Sequence, residues 1–379
     1  MIGLTKRIVS DDGAKVLACA LVAGGLLAAC KHNNSTATAD ATQGLWIANG
    51  TNVLEYLPGQ LTAGSSAAVP HLTIRSAALG TPQGVTFDKS GNLWVMDPGG
   101  NVNGATTPAL FEFSAAQLTA LATNNAPDPA VTITSTSLTF PQQSVFDANG
   151  NQWVSDHDGN TVLVFSAAQL AVQGVNPTVP AVAITSGGFN GPLGIALDSA
   201  GDLWISNNGS VTANGVTSAA GTTIVEFTAA HLPAIPSSGM LTPELTPDVI
   251  LTDNAGGSIQ SPWALVFDMN GNLWSNNTAA PNTVVEFSKA SLAMTGVPTP
   301  AVTLSPTMVN GNPSLDAPNG LCFDSAGDLA TANSADAFGI AFYGKGQLMT
   351  GMPVPSTFII GAATTLNAPA GCNFGTAVN

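Results

Sequence analysis

The stretch PQGVTFDKSGNLWVMD, at residues 82–97, decides the fold because the chain repeats its pattern four more times. The other full copies are PQQSVFDANGNQWVSD (141–156), PLGIALDSAGDLWISN (192–207), PWALVFDMNGNLWSNN (262–277) and PNGLCFDSAGDLATAN (318–333). A sixth copy is divided between the two ends of the chain, with GLWIANG at 44–50 and PAGCNFG at 369–375. Repeats a few tens of residues apart indicate a propeller, solenoid or array, and the divided copy indicates a closed ring.

Each full repeat predicts the first two strands of a blade, joined by a tight turn such as the one at Gly150. In the second copy a third strand (TVLVF, 161–165) follows, and then SAAQL (166–170), whose serine can cap one helical turn that buries the leucine. An outer strand completes each unit, as PHLTIR (70–75), PAVTIT (129–134), PAVAIT (180–185), PDVILT (247–252), PAVTLS (300–305) and PSTFII (355–360). Six outer strands predict an all-β, six-bladed β-propeller with four antiparallel strands per blade, spanning residues 43–379. PAGCNFG would supply the innermost strand of the blade that the N-terminal strands begin, which closes the ring.

The composition limits the classes of partner. Only 8% of the residues are charged, and the formal net charge is −15. Binding to a phosphate backbone needs a basic face, so we expect no nucleic-acid partner. A closed ring hides the sheet edges through which β-proteins associate, so we expect a monomer.

The N-terminal sequence predicts where in the cell the protein is located. Lys6 and Arg7 precede an apolar run from Val16 to Ala29 that has the length of a secretory signal and is too short for a membrane span. The run ends in LAAC (27–30), which resembles a bacterial lipobox. We therefore expect a signal peptide at 1–29, a lipid-modified Cys30 that anchors the protein to a membrane, and a flexible tether at 30–42. This predicts a cell-envelope protein on the periplasmic side or the outer-membrane surface. An ordinary signal peptide with a chance cysteine is the alternative.

Two cysteines remain in the predicted propeller. Cys322 and Cys372 lie in neighbouring repeat copies, so they could form a disulfide that pins the terminal strand. Two buried free thiols are the alternative.

The repeat pattern is similar to the NHL repeat and its relatives among six-bladed propellers, which include the regucalcin and gluconolactonase family and the streptogramin-type lyases. In the regucalcin family the metal ligands include a Glu just before a repeat proline and an Asn and an Asp just after others. Only Asn319 matches that pattern here. The lyases use a channel His, and His157 is the one histidine of this chain on a suitable loop. The resemblance therefore implies the architecture much more than an activity.

An Asp or Asn lies at the same place in all six copies, three residues after the repeat Trp or its replacement Ala330. The set is Asn49, Asp97, Asp156, Asn207, Asn277 and Asn333. Converging oxygens of this kind can hold calcium. Alternatively, each side chain caps its own turn by bonding to nearby backbone.

The residues just after the repeat prolines form a second candidate site, at the mouth of the central channel. Gln83, Gln142 and Asn319 offer amide donors and acceptors, and Trp263 could stack on a sugar or peptide group. Alternatively, Trp263 packs under the loop at 208–221. We therefore predict a non-catalytic module that binds a small molecule, glycan or protein partner.

Two other functions stay open. A metal-dependent, lactonase-like hydrolase or lyase would use Asp97, Asp156 and His157 in the channel, with calcium as the expected metal. An assembly scaffold would use the rims of the blades.

Overall fold

The computed structural model describes residues 42–62, 67–100, 107–209, 212–213, 216–217, 223–335, 338–361 and 364–378. The predicted signal peptide, Cys30 and the tether up to residue 41 lie outside these ranges. Within them, no helix has the length and apolar character needed to cross a membrane.

The described residues form thirty strands and a few short helical turns. Residues 43–134 contain β1 (Gln43–Asn49), β2 (Asn52–Tyr56), β3 (Leu72–Ile74), β4 (Gly84–Phe87), β5 (Leu93–Asp97), β6 (Ala109–Phe113) and β7 (Val131–Thr134). Residues 141–217 contain β8 (Pro141–Phe146), β9 (Gln152–Asp156), β10 (Thr161–Phe165), β11 (Gly174–Pro177), β12 (Val182–Ser186), β13 (Pro192–Leu197), β14 (Leu203–Asn207), β15 (Thr212–Ala213) and β16 (Val216–Thr217).

Residues 223–309 contain β17 (Thr223–Phe227), β18 (Glu244–Leu245), β19 (Val249–Thr252), β20 (Pro262–Phe267), β21 (Leu273–Asn277), β22 (Val284–Phe287), β23 (Val302–Leu304) and β24 (Met308–Val309). The remaining strands are β25 (Asn312–Pro313), β26 (Pro318–Phe323), β27 (Leu329–Asn333), β28 (Gly339–Tyr343), β29 (Thr357–Ile360) and β30 (Pro369–Thr376). The helical turns are α1 (Ala115–Thr119), α2 (Ala167–Leu170) and three 3₁₀ turns (Pro58–Gln60, Lys289–Leu292 and Lys345–Gln347).

The strands form the six predicted blades. From the channel outward, blade 1 is β4-β5-β6-β7, blade 2 is β8-β9-β10-β12 and blade 3 is β13-β14-β17-β19. Blade 4 is β20-β21-β22-β23, blade 5 is β26-β27-β28-β29, and blade 6 is β30-β1-β2-β3. Blade 6 confirms the predicted closure, because β30 pairs antiparallel with β1 and places Leu45 opposite Phe374.

Two blades carry a fifth strand that the sequence did not predict. β11 pairs parallel with the outer strand of blade 1, and β18 pairs parallel with the outer strand of blade 2. Single parallel bridges at Gly296 and Gly351 make the same connection to the outer strands of blades 3 and 4. Each of these segments comes from the next blade along the chain, between its capping turn and its outer strand. They occupy edges that would otherwise be open for pairing with another chain.

The residues shared by the repeats hold each blade together and join it to the next. Asp147 accepts hydrogen bonds from the backbone N–H groups of Asn149 and Asn151 and, at 3.1 Å, from the indole N–H of Trp153. In four blades the repeat Trp also packs edge-to-face on the repeat Phe of the following blade, as Trp94 does on Phe146 with ring centroids 6.1 Å apart. The repeat therefore specifies a turn, a strand pair and an interface between blades.

The capping turns form as predicted. In blade 2, Ser166 Oγ accepts a hydrogen bond from the N–H of Gln169, and Gln169 Oε1 accepts one from the N–H of Ser166 at 2.9 Å. Leu170 is buried at the end of this turn, and Leu118 is buried in the equivalent turn of blade 1.

Four of the six copies have a glycine two residues after the repeat proline, where neighbouring blades approach closely. A Cβ at Gly194 would lie 2.2 Å from the carbonyl oxygen of Trp263 in the next blade and 2.8 Å from Ser206 Oγ. We expect Gly194→Ala to lower the free energy of unfolding by about 3 kcal/mol, because the clash is with backbone that cannot move without shifting a blade.

Gly187→Ala is the matched control for this prediction, since a Cβ there would meet nothing within 4 Å. Urea unfolding of both variants measures the difference. Equal midpoints for the two variants would contradict the interpretation.

Candidate functional site

The six Asp and Asn residues of the repeat bind backbone at the ends of the second strands. Asp97 accepts hydrogen bonds from the N–H groups of Gly80 (2.7 Å), Thr81 (3.0 Å) and Gly99 (2.8 Å). Burial raises the pKa of Asp97, and these hydrogen bonds offset the effect only in part. Asp156 accepts bonds from the N–H groups of Thr139 and Phe140 and from the Thr139 hydroxyl.

The four Asn members make the corresponding contacts. Asn207 Oδ1 accepts from the N–H of Asn190, while its Nδ2 donates to the Gly188 carbonyl and Thr223 Oγ1. Asn277, Asn333 and Asn49 likewise accept from a backbone N–H and donate to a backbone carbonyl in the loop before the innermost strand. In the described ranges, no group of three or more His, Cys, Asp or Glu residues is arranged to hold a metal ion. All six side chains bond mainly to the loop that precedes the innermost strand of their own blade. The calcium site stays a prediction.

His157 lies directly after Asp156 and is engaged locally. Its Nδ1 is 2.7 Å from Asp158 Oδ1, and its ring packs edge-to-face on Phe140. Neither contact aims the imidazole at Asp97, the other predicted acid–base candidate. In the described part of the chain, Asp97, Asp156 and His157 do not form a cluster that could hold a metal ion.

Three of the predicted ligand-binding residues, Gln142, Trp263 and Asn319, lie at the same position on their innermost strands, and Gln83 directly precedes β4. Gln142 is only 1% exposed, and its Oε1 is buried without a hydrogen-bond partner. Asn319 is also buried, whereas Gln83 and Trp263 are half-buried. Gln83 Nε2 donates to the Thr81 carbonyl at 3.2 Å, and Trp263 Nε1 is buried without a partner among the described residues. The polar groups of this set therefore lie largely below the surface of the channel end.

A cavity of about 280 Å³ lies next to these residues in the channel. It is lined by residues further along all six innermost strands. Its wall has two different sides. Blades 6, 1 and 2 contribute the polar side chains Asn373, Thr86, Gln143 and Ser144, together with Val85, Val145 and Cys372. Blades 3, 4 and 5 contribute mainly apolar side chains, namely Ile195, Ala196, Leu197, Leu265, Val266, Phe267, Leu321 and Phe323.

Blade 2 carries the polar residues that sequence reasoning missed. Ser144 lines the cavity at a position where the other full copies have Val85, Ile195, Leu265 and Leu321. Gln152, fully buried, stands where every other copy has leucine. Its Nε2 donates to Ser144 Oγ at 3.0 Å, but its Oε1 has no partner. The sequence did contain a signal for these residues, because Ser144 and Gln152 are polar at repeat positions that are otherwise mostly aliphatic.

Cys322 and Cys372 form a disulfide between β26 and β30, with Cα atoms 6.0 Å apart. Both residues line the cavity. The bond joins blade 5 to the strand that closes the ring.

Comparison with known proteins supports the fold and leaves the function open. No protein-family model matches the chain, and no curated protein matches it. Among solved structures, the chain is similar to a protein of unknown function from Bacteroides caccae (TM-score 0.54, 10% identity, 88% of this chain and 99% of that chain covered). It is also similar to a chain of a nidogen/laminin complex (0.52, 11%, 88% and 98%). A candidate 6-phosphogluconolactonase from Bacteroides uniformis is a third similar structure (0.51, 11%, 88% and 100%).

Proposed function

We propose that this protein is a cell-envelope lipoprotein, anchored to a membrane through Cys30, whose propeller binds a small neutral ligand in the central channel. The two-sided wall of the channel cavity carries the proposal. A ligand with one polar edge and one apolar face would bond to Gln143, Ser144 and Asn373 while packing against blades 3 to 5. Similar propellers include a chain of a nidogen/laminin complex and a candidate lactonase, so the fold alone does not identify the function. The proposal therefore rests on the residues of the site.

The chemistry of the lining favours reversible binding over bond cleavage. The residues that line the cavity carry amide, hydroxyl, disulfide and apolar groups, and none of them is titratable under ordinary conditions. A hydrolase needs a positioned acid, base or metal at the reacting bond. The volume of about 280 Å³ is at the lower end of ligand sites, so the ligand would be small.

The unpartnered carbonyl oxygen of Gln152 supports a role for the polar side. A buried acceptor without a hydrogen bond lowers stability by about 1 to 3 kcal/mol. The repeat offers leucine at this position in every other blade, so the glutamine is not required for packing. Gln152 does not line the cavity itself, but its amide donates to Ser144 Oγ, so a binding site that uses Ser144 explains why a destabilising residue stands here.

We expect the double variant Ser144→Ile, Gln152→Leu to be about 1 to 3 kcal/mol more stable than the native protein and to lose ligand binding. The change gives blade 2 the residues of the other blades. Binding would be screened by ligand-observed NMR with small neutral fragments, including monosaccharides, lactones and aromatic alcohols.

Ser275→Val is the matched control, since it also replaces a buried polar residue by the aliphatic type found in other copies, away from the cavity lining. Fragments that bind the native protein and Ser275→Val but not the double variant would support the channel site. An identical set of bound fragments for all three proteins would refute it.

Assembly through the blade rims is a second candidate function, favoured by one observation. Large apolar side chains are exposed on the segments that precede the outer strands of five blades. They include Val175 (73% exposed) at the edge of blade 1, Met294 (78%) at the edge of blade 3 and Met352 (65%) at the edge of blade 4.

Sedimentation velocity of the native protein and of the triple variant Val175→Lys, Met294→Lys, Met352→Lys tests this function. A larger species that the variant loses would support it, and a monomer in both would exclude self-assembly.

A further inference from the structure

Four blades place a glutamate directly opposite the repeat Trp, on the third strand. The pairs are Trp46 with Glu55, Trp94 with Glu112, Trp204 with Glu226 and Trp274 with Glu286. These carboxyl groups lie toward the hairpin turns that contain the repeat Asp, away from the capped loops at the other end of the channel. The channel site of the proposed function does not use them.

Between blades 1 and 2, Glu112 lines an open cleft of about 330 Å³. Trp94, Phe146 and Leu170 form the apolar part of its wall, and Asp88 and Asp147 add two carboxylates. Both aspartates are occupied by their own turns, since each accepts hydrogen bonds from backbone, an Asn side chain and an indole N–H.

Glu112 differs from these aspartates because no group in the described ranges bonds to its carboxyl group. The residue is only 5% exposed, and none of the described residues makes a hydrogen bond or ion pair with its side chain. Lys89 lines the same cleft but is exposed and makes no ion pair with it. Burial, and then the charge of Asp88, raise the pKa of Glu112 to about 7. The cleft therefore holds an unpaired acid next to a fixed negative charge.

The equivalent position in blade 6 is already filled by the chain itself. The backbone N–H of Val378 donates to Glu55 Oε1 at 3.0 Å, and the Val378 side chain packs on the cluster that contains Trp46 and Phe87. An aliphatic group with an N–H donor thus occupies this copy of the site.

The two copies differ in charge. Gly375 stands in blade 6 where blade 1 has Asp88, so Glu55 lacks the neighbouring carboxylate and a neutral N–H is sufficient. In the cleft of Glu112, two further carboxylates favour a donor that also carries a positive charge.

We propose that the cleft between blades 1 and 2 binds an aliphatic amine, with its ammonium group on the Glu112 carboxylate and its alkyl stem against Phe146 and Leu170. The ligand class is that of a lysine side chain, a chain N-terminus or a small alkylamine. The net charge of −15 attracts such cations to the protein and disfavours anions.

Titration with n-butylammonium, followed through the indole N–H resonance of Trp94, tests the proposal. Trp94→Phe identifies that resonance among the six tryptophans. We expect saturable shifts in the native protein, at least tenfold weaker binding in Glu112→Gln, and no change in affinity for Glu226→Gln. Glu226 is the control because its carboxyl group hydrogen-bonds to Asp202. Equal affinity in Glu112→Gln and the native protein, or the absence of saturable shifts, overturns the proposal.

Two measurements on the native protein make the test independent of the variants. Binding of n-butylammonium should tighten as the pH rises from 6 to 8, because Glu112 loses its proton over this range. The neutral isostere n-butanol should shift the Trp94 resonance much less. A pH-independent affinity, or equal shifts with n-butanol, would show that the cleft recognises the alkyl group alone and would also overturn the proposal.

Discussion

The stability of this protein is expected to fall by several kcal/mol as the pH rises from about 5 to 8. Burial raises the pKa values of Glu55, Glu112 and Glu226 from 4.5 to about 7. Between these values the folded protein binds more protons than the unfolded chain, so the free energy of unfolding decreases with increasing pH. One pKa unit corresponds to about 1.4 kcal/mol, so a rise from 4.5 to about 7 amounts to about 3.5 kcal/mol for each carboxyl group, of which about 2 to 3 kcal/mol is lost between pH 5 and 8.

A second set of carboxylates limits the stability on the acid side. Burial alone would raise the pKa of Asp268, but hydrogen bonds from Asn272 and Trp274 outweigh it, and the pKa is lowered. Asp253 behaves in the same way. The stabilisation from these groups is lost only as the pH falls below about 4. The maximum stability should therefore lie near pH 5.

Urea unfolding at pH 5, 6, 7 and 8 measures the dependence. The double variant Glu112→Gln, Glu226→Gln should flatten the curve, because an isosteric amide cannot ionise. Glu244→Gln serves as the control, since Glu244 is exposed and the variant should keep the native slope. A native protein whose stability rises between pH 5 and 8 would contradict the prediction.

Removal of the disulfide is expected to have the second largest effect. The bond between Cys322 and Cys372 closes a loop with a sequence separation of 50 residues. The entropy of such a loop in the unfolded chain corresponds to about 4 kcal/mol. We therefore expect Cys322→Ala, Cys372→Ala to lower the free energy of unfolding by about 4 kcal/mol, measured by urea unfolding without reductant.

Reduction provides the control for this variant. Dithiothreitol should destabilise the native protein to a similar degree and leave the double variant unchanged. A loss below about 1 kcal/mol would mean that the hydrogen bonds between β1 and β30 hold the closing strand without covalent help.

The fold could be predicted from the sequence because the repeat encodes local physical requirements. Asp147, Gly150 and Trp153 belong to one turn and its strand pair, so their spacing alone indicates the hairpin. The divided copy predicted the pairing of β1 with β30 for the same reason. The fifth strands β11 and β18 were missed because they come from segments of variable length that carry no repeated pattern.

The candidate sites were predictable only in part. The position of Asp97 and its equivalents could be read from the repeat. The spacing could not show whether these side chains bind a metal or backbone groups, because that depends on the direction in which each side chain points. Ser144 and Gln152 could have been found as polar interruptions of an aliphatic position. Glu112 could not be placed opposite Trp94, because the loop that sets the register of the third strand differs in length between blades.

The pairing of β30 with β1 also affects how the propeller unfolds. In a linear repeat array the terminal units have one neighbour each, so they fray and unfold before the centre. Here every blade has two neighbours, and Trp–Phe contacts of the kind seen between Trp94 and Phe146 join four of the six pairs of neighbouring blades. Detaching any blade breaks two interfaces at once. Slow hydrogen exchange should therefore be similar in all six blades, with loss of protection as one cooperative event.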